Sequence, residues 1–110
     1  MRTLVLDELR PADMPRVKVY LEEHATPSEV EGLYWMELDE DLLTDEQAGH
    51  ERCRPHRFAA ELGPDFLKLE LLIRPADGLR CQCSGYATGK QRRAILAWAD
   101  RLIADLNLST

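Results

Sequence analysis

The chain has 110 residues, 45% of them hydrophobic and 31% charged, and its formal net charge is −6. This size and composition are typical of one globular domain over 1–110, and the acidic balance argues against nucleic acid as a partner. No apolar run approaches the roughly 20 residues that span a bilayer, and the N-terminus turns acidic too early for a signal peptide. Three cysteines, an odd number, argue against a disulfide framework. We therefore expect a cytoplasmic protein that does not act at a membrane.

The charges are divided unevenly along the chain. Residues 1–49 hold four Lys/Arg and thirteen Asp/Glu, a balance of −9, whereas 50–110 hold ten and seven, a balance of +3. Either the two halves pack against each other within one molecule, or the acidic half is a docking surface for a protein partner or a second copy.

The first 32 residues predict one helix with a short segment on either side. Residues 3–6 form an edge strand or an ordered tail, and Asp13 is a candidate N-cap for a helix over about 13–25. Thr26, with a glutamate three residues later, matches a capping box, and Gly32 is expected to stop the turn that this box opens.

Residues 33–38, rich in aromatic side chains, predict a strand. Thr44 and Gln47 match a second capping box, which opens a short helix to about Arg52. Pro55 then favours extended chain.

Residues 56–87 predict a three-stranded antiparallel meander. Leucines at 67, 69 and 71 and Ile73 alternate with other side chains, so one face of the strand is apolar. A turn at 63–65 pairs Leu62 with Leu67, and therefore Ala60 with Leu69, Glu61 with Lys68 and Phe58 with Leu71.

A second turn at 75–78 is expected to complete this meander. Pairing Ile73 with Leu79 sets Cys81 opposite Leu71, Cys83 opposite Leu69 and Gly85 opposite Leu67. Both cysteines would then lie on the apolar face.

The last helix is predicted from Thr88 and Gln91, a third capping box, to about Leu106. Its apolar stripe is the natural cover for the leucine face of the sheet. The expected fold is therefore α+β, in the order α-β-α-β-β-β-α, with an antiparallel sheet of about four strands (meander 56–87 plus strand 33–38) and helices on one face.

The first candidate site is metal-binding. His50, Cys53 and His56 lie close in sequence, with Cys81 and Cys83 on the predicted hairpin, and a tetrahedral zinc site takes four such ligands. We select His50, Cys53, Cys81 and Cys83 as the zinc ligands. The alternative is that no cofactor binds and the cysteines are small buried hydrophobic residues.

The second candidate site is the N-terminus of the last helix. Thr88, Gly89, Lys90 and Arg93 would bind a phosphate or carboxylate there, because the helix dipole and basic side chains favour an anion. The alternative is a solvated basic turn, or one paired with the acidic segment 37–46.

Two stretches resemble the GCN5-related acetyltransferases. Residues 3–6 followed by Leu9-Arg10-Pro11-Ala12-Asp13 resemble the opening strand and first helix of that family. Gly85-Tyr86-Ala87-Thr88-Gly89-Lys90 is similar to its coenzyme A pyrophosphate loop, although the family's second glycine is replaced by Gln91. The resemblance implies acyl transfer with a phosphate-bearing ligand at the last helix.

Three functions follow from these observations. The preferred one is a non-catalytic binding or regulatory domain that acts through protein contacts or self-association, because no catalytic motif is present. The second is a small-ligand or acyl-transfer domain, and the third is a zinc-stabilised domain.

Overall fold

The computed structural model describes residues 1–76 and 81–110 and shows an α+β fold, as expected. The helices and strands are, in chain order, β1 (Thr3–Leu6), α1 (Met14–His24), β2 (Thr26–Pro27), β3 (Leu33–Glu37), α2 (Asp45–Gly49), β4 (Arg57–Leu62), β5 (Leu67–Glu70), β6 (Leu72–Ile73), β7 (Gly85–Tyr86) and α3 (Gly89–Leu106). Single 3-10 turns form at Pro11–Asp13, Glu40–Leu42 and Glu51–Cys53. No helix in the described part of the chain is long and apolar enough to cross a membrane.

The main sheet has five antiparallel strands in the order β1-β5-β4-β3-β2, one more than the four expected. The register predicted for the first hairpin is confirmed for Ala60–Leu69, Glu61–Lys68 and Leu62–Leu67. Lys68 Nζ lies 3.6 Å from Glu61 Oε1, but both side chains are partly exposed to solvent, so this pair contributes little to stability.

The predicted third strand of the meander is wrong. Strand β5 has only two edges: β4 occupies one, and β1 occupies the other by pairing Leu4 with Leu69 and Leu6 with Leu67. No edge of β5 is therefore left for the cysteine segment, and the predicted pairings of Cys83 with Leu69 and of Gly85 with Leu67 do not form.

Beyond Glu70 the chain leaves the main sheet. The backbone of Leu71 bonds to Arg2 and Ala87, so its expected pairings with Phe58 and Cys81 are also wrong. A separate two-stranded sheet follows, in which Ile73 pairs with Gly85. The predicted partner of Ile73, Leu79, lies outside the described residues. Arg57 pairs with Arg74 in an isolated bridge that holds this small sheet beside β4.

The leucine face of the main sheet is the centre of the core, as predicted. Leu67 and Leu69 expose 0% of their surface, and they belong to one buried cluster with apolar side chains of both long helices. The members from α1 and α3 include Val17, Leu21, Ile95, Ala99 and Leu102. The apolar stripe of α3 therefore covers the sheet, as its 3.6-residue spacing indicates.

Two of the three predicted capping boxes are confirmed. Thr44 with Gln47 begins α2, and Thr88 with Gln91 begins α3, each with both reciprocal hydrogen bonds. The box predicted at Thr26 is wrong, because Thr26–Pro27 pairs with the free edge of β3 as strand β2.

Asp13 precedes α1 as expected, but its carboxylate does not cap the helix. It instead accepts hydrogen bonds from Arg10 and Arg16 at 3.0 and 2.9 Å.

Candidate metal centre

The first two candidate ligands lie on a tight turn after α2. Helix α2 ends at Gly49, and the chain continues into the 3-10 turn Glu51–Cys53, in which Cys53 N donates to His50 O at 3.0 Å. Residues three apart on a 3-10 turn lie on the same side, so His50 and Cys53 present their side chains to one place.

The other two ligands lie on the turn that precedes β7. Ser84 N donates to Cys81 O at 3.0 Å, and Cys83 N lies 3.5 Å from Cys81 Sγ. Ala76 N donates to Cys53 O at 3.0 Å, which fixes the chain entering this loop against the 3-10 turn. The two turns are thereby brought face to face.

The ligand atoms of His50, Cys53, Cys81 and Cys83 all lie within 4.8 Å of one another, so this group could hold a metal ion. Cys53 Sγ and Cys81 Sγ are 3.6 Å apart, and His50 Nδ1 is 3.1 Å from Cys81 Sγ. Zn–S bonds of about 2.3 Å in a regular tetrahedron separate two sulfurs by about 3.8 Å and a sulfur from a nitrogen by about 3.5 Å. These two separations are close to those of a zinc tetrahedron, and no disulfide forms among the described residues.

Two of the thiols, those of Cys83 and Cys81, differ in their surroundings. Cys83 is buried, and burial raises the pKa of its thiol to about 12. Cys81 is half-buried, and the Cys83 N–H that points at its sulfur lowers the pKa of that thiol to about 7. A cation bound here would favour the thiolate form of both, since a coordinating thiol is deprotonated.

A fifth side chain, His56, lies beside the cluster. The residue exposes 1% of its surface, and its Nε2 is 3.4 Å from Cys83 Sγ. Burial lowers the pKa of His56, so the neutral ring is favoured and can donate its Nε2–H to the sulfur. His56 Nδ1 has no hydrogen-bond partner among the described residues. His56 therefore supports Cys83 from outside the group of four.

The sequence singled out these four residues by type, but it placed Cys81 and Cys83 on the wrong structural element. They lie on an irregular turn, where side chains two apart converge more easily than on a flat strand. The sequence did not predict one contact of this cluster, in which Gln47 Nε2 donates to Cys83 O at 3.2 Å. Its only sequence signal was its place in the capping box of α2.

The predicted anion site at the start of α3 is not tested by the structure, but two of its residues have protein partners. Thr88 Oγ1 accepts from Gln91 N at 3.2 Å as the cap, and Lys90 Nζ donates to Asp41 O at 3.3 Å. Gly89 and Arg93 border a shallow groove of about 340 Å³ whose other lining residues include Leu4, Leu71 and Leu96.

The acidic and basic halves of the chain touch in a few places. Besides the contact of Lys90 with Asp41, Arg54 Nη1 lies 3.5 Å from Glu40 Oε1. The interpretation that the two halves pack within one molecule is consistent with these contacts.

No protein-family model matches this chain, and searches of curated proteins and of solved structures find no match either. These comparisons add no support to the resemblance to acetyltransferases. What the fold and the site define is an α+β domain with a cluster of one histidine and three cysteines that could hold a metal ion.

Proposed function

We propose that this protein is a zinc-stabilised domain in which one ion is held by His50, Cys53, Cys81 and Cys83. The observation that carries the proposal is the convergence of one imidazole and three thiols within 4.8 Å, although the two pairs lie about thirty positions apart in sequence. Soft thiolates with one imidazole are a donor set that suits zinc better than Mg²⁺ or Ca²⁺.

The composition of the site supports a structural role for the ion. Four protein ligands complete a tetrahedron and leave no position for the water or substrate that a catalytic zinc binds. The role assigned to the metal is therefore to hold the turn Glu51–Cys53 and the turn of Cys81 and Cys83 together.

The helices and strands around the cluster are short, so a bound ion would add to their stability. Helix α2 has five residues, and strands β6 and β7 have two each. Helices of this length and two-residue hairpins are unstable alone in water. A metal that joins them contributes its binding free energy to folding.

Metal analysis of protein purified without added zinc tests the proposal. We expect about one equivalent of zinc per chain, and cobalt substitution should give the charge-transfer absorption of thiolate ligands. Zinc below about one tenth of an equivalent would contradict the proposal.

A pair of histidine variants provides the control. His50→Ala should lower zinc content and thermal stability, whereas His24→Ala should change neither zinc content nor metal affinity, because His24 lies exposed at the end of α1. Equal zinc retention by the two variants would remove His50 from the ligand set.

We further propose that the domain acts without catalysis, as a binding or regulatory protein in a reducing cytoplasm. The acidic carboxylates at 37, 39, 40, 41, 45 and 46 are all exposed, and this acidic segment is a surface for a basic partner or for the basic half of a second copy. Self-association should weaken as salt is raised, because surface charge pairs are screened. Light scattering at low and high ionic strength measures this, and a mass independent of salt and concentration would exclude charge-driven self-association.

A further inference from the structure

Two buried glutamines connect the cysteine cluster to the last helix. Gln47 exposes 4% of its surface and Gln91 1%, values that are unusual for glutamine. Gln47 closes the capping box of α2, and Gln91 closes that of α3. Their side chains also bond to each other, since Gln91 Nε2 donates to Gln47 Oε1 at 3.0 Å.

The chain of hydrogen bonds begins at a candidate ligand. Gln47 Nε2 donates to the backbone carbonyl of Cys83 at 3.2 Å, while Gln47 Oε1 accepts from Thr44 N at 3.0 Å and from Gln91. The side-chain oxygen thus has both lone pairs occupied. The amide can take only this orientation, because turning it over would direct its NH2 group at the N–H of Thr44.

Gln91 continues the chain to the start of α3. Its Oε1 accepts from Thr88 N at 3.0 Å, and its Nε2 also donates to Leu42 O at 2.9 Å. Each of its side-chain donors therefore has an acceptor. A buried network of this kind favours one arrangement, because a buried polar group that loses its partner destabilises the fold.

We propose that Gln47 is the positioning residue of the metal centre and that, through Gln91, the bound ion orders the first turn of α3. Cys83 lies on a turn outside both sheets, so the bond from Gln47 to its carbonyl fixes where its sulfur points. Groups that orient metal ligands from the outer shell commonly change metal affinity tenfold to a hundredfold. This inference depends on the proposed zinc site.

Gln47→Glu tests the link to Cys83. Ionised glutamate keeps the acceptor that the capping box and Gln91 use, but it has no hydrogen to donate to Cys83 O. Gln82→Glu is the matched control, because Gln82 is exposed beside Cys83 and the charge change is the same. Zinc transfer to a chromophoric chelator should be about ten times faster from Gln47→Glu than from Gln82→Glu. Equal rates would overturn the positioning role.

Amide hydrogen exchange on the wild-type chain tests the link to α3 without a variant. Gln91 N donates to Thr88 Oγ1 and Arg92 N to Thr88 O, so these two amides report on the first turn. Removing zinc should accelerate exchange at Gln91 and Arg92 more than at Ala99 in the buried middle of the helix. An equal change at all three, or none, would overturn the coupling.

The two proposals fail in different ways. If the wild-type chain binds no zinc, the metal site itself is refuted. If the wild type binds zinc tightly but Gln47→Glu releases zinc no faster than Gln82→Glu, only the role of Gln47 is refuted.

Discussion

The leucine-rich end of the folded molecule and its cysteine end are stabilised by different interactions. The main sheet and its helices surround fully buried leucines, such as Leu67 and Leu69, in one continuous apolar core. The cysteine end has short elements joined by polar and sulfur contacts, with Cys83, His56 and Gln47 as its buried centre. The first end is stable because it removes apolar surface from water, whereas the second depends on specific pairs of atoms. One small domain can therefore combine an apolar core with a region that depends on specific polar and sulfur contacts.

The largest loss of stability is expected when a buried leucine of the apolar core is shortened. Leu69→Ala should lower the free energy of unfolding by about 2–5 kcal/mol, because a fully buried leucine leaves a cavity. Val5→Ala, at an exposed position of β1, should cost much less. Denaturant titration of both variants measures the difference, and a loss below about 1 kcal/mol for Leu69→Ala would show that this face is not the core.

The next largest effect is expected from zinc. At free zinc about one hundred times its dissociation constant, the domain should be more stable by about 2.7 kcal/mol than the chelated protein. Cys83→Ser should abolish this gain while leaving the leucine core in place. Melting curves with and without zinc measure it, and a melting temperature indifferent to zinc would mean that the cysteine end needs no metal.

Alanine substitutions at two glycines are expected to change stability differently, one beside the main sheet and one at the cysteine end. Gly32 has φ of +82°, and a Cβ there would lie 3.2 Å from Leu62 O, so Gly32→Ala should cost about 1–2 kcal/mol. Gly49 ends α2, and a Cβ there meets nothing within 4 Å, so Gly49→Ala should be neutral or stabilising by about 0.5–1 kcal/mol. Unfolding free energies that are equal for the two variants would contradict this contrast.

The smallest effect is expected at Asp13, on the first turn beside the apolar core. The hydrogen bonds from Arg16 and then Arg10 lower the pKa of Asp13 below its usual 3.8. Its contribution to stability is therefore present above pH 3.8 and is lost as the pH falls through the lowered pKa of the folded state. Asp13→Asn should be less stable than the wild type at neutral pH and equal to it in strong acid. Melting temperatures from strong acid to neutral pH measure the difference, with the exposed Asp7→Asn as control.

Whether a prediction from the sequence was correct depended on how far apart in the chain the interacting residues lie. The hairpin around Gly63 and the boxes at Thr44 and Thr88 were predicted correctly because they depend on residues only a few positions apart. Thr26 fits the same local pattern, yet it became a strand because the edge of β3 was available.

The sequence named the four residues that the structure brings into one cluster, but it did not predict the turns that carry them. His50, Cys53, Cys81 and Cys83 were chosen because few other side chains ligate zinc. The supporting Gln47 could not be found in this way, since its bond to Cys83 O spans 36 positions.

By itself, the sequence determined the α+β class, the buried face of the leucine strand and the residues capable of binding a metal. Strand alternation and helix capping depend on residues a few positions apart, so they can be predicted without knowing which distant segments come into contact. Only the tertiary structure decided that β1 lies beside β5 and that the two ligand turns meet. The physical reason is that a strand edge accepts whichever segment the whole fold brings to it, and that choice displaced the cysteines from the sheet into a cluster.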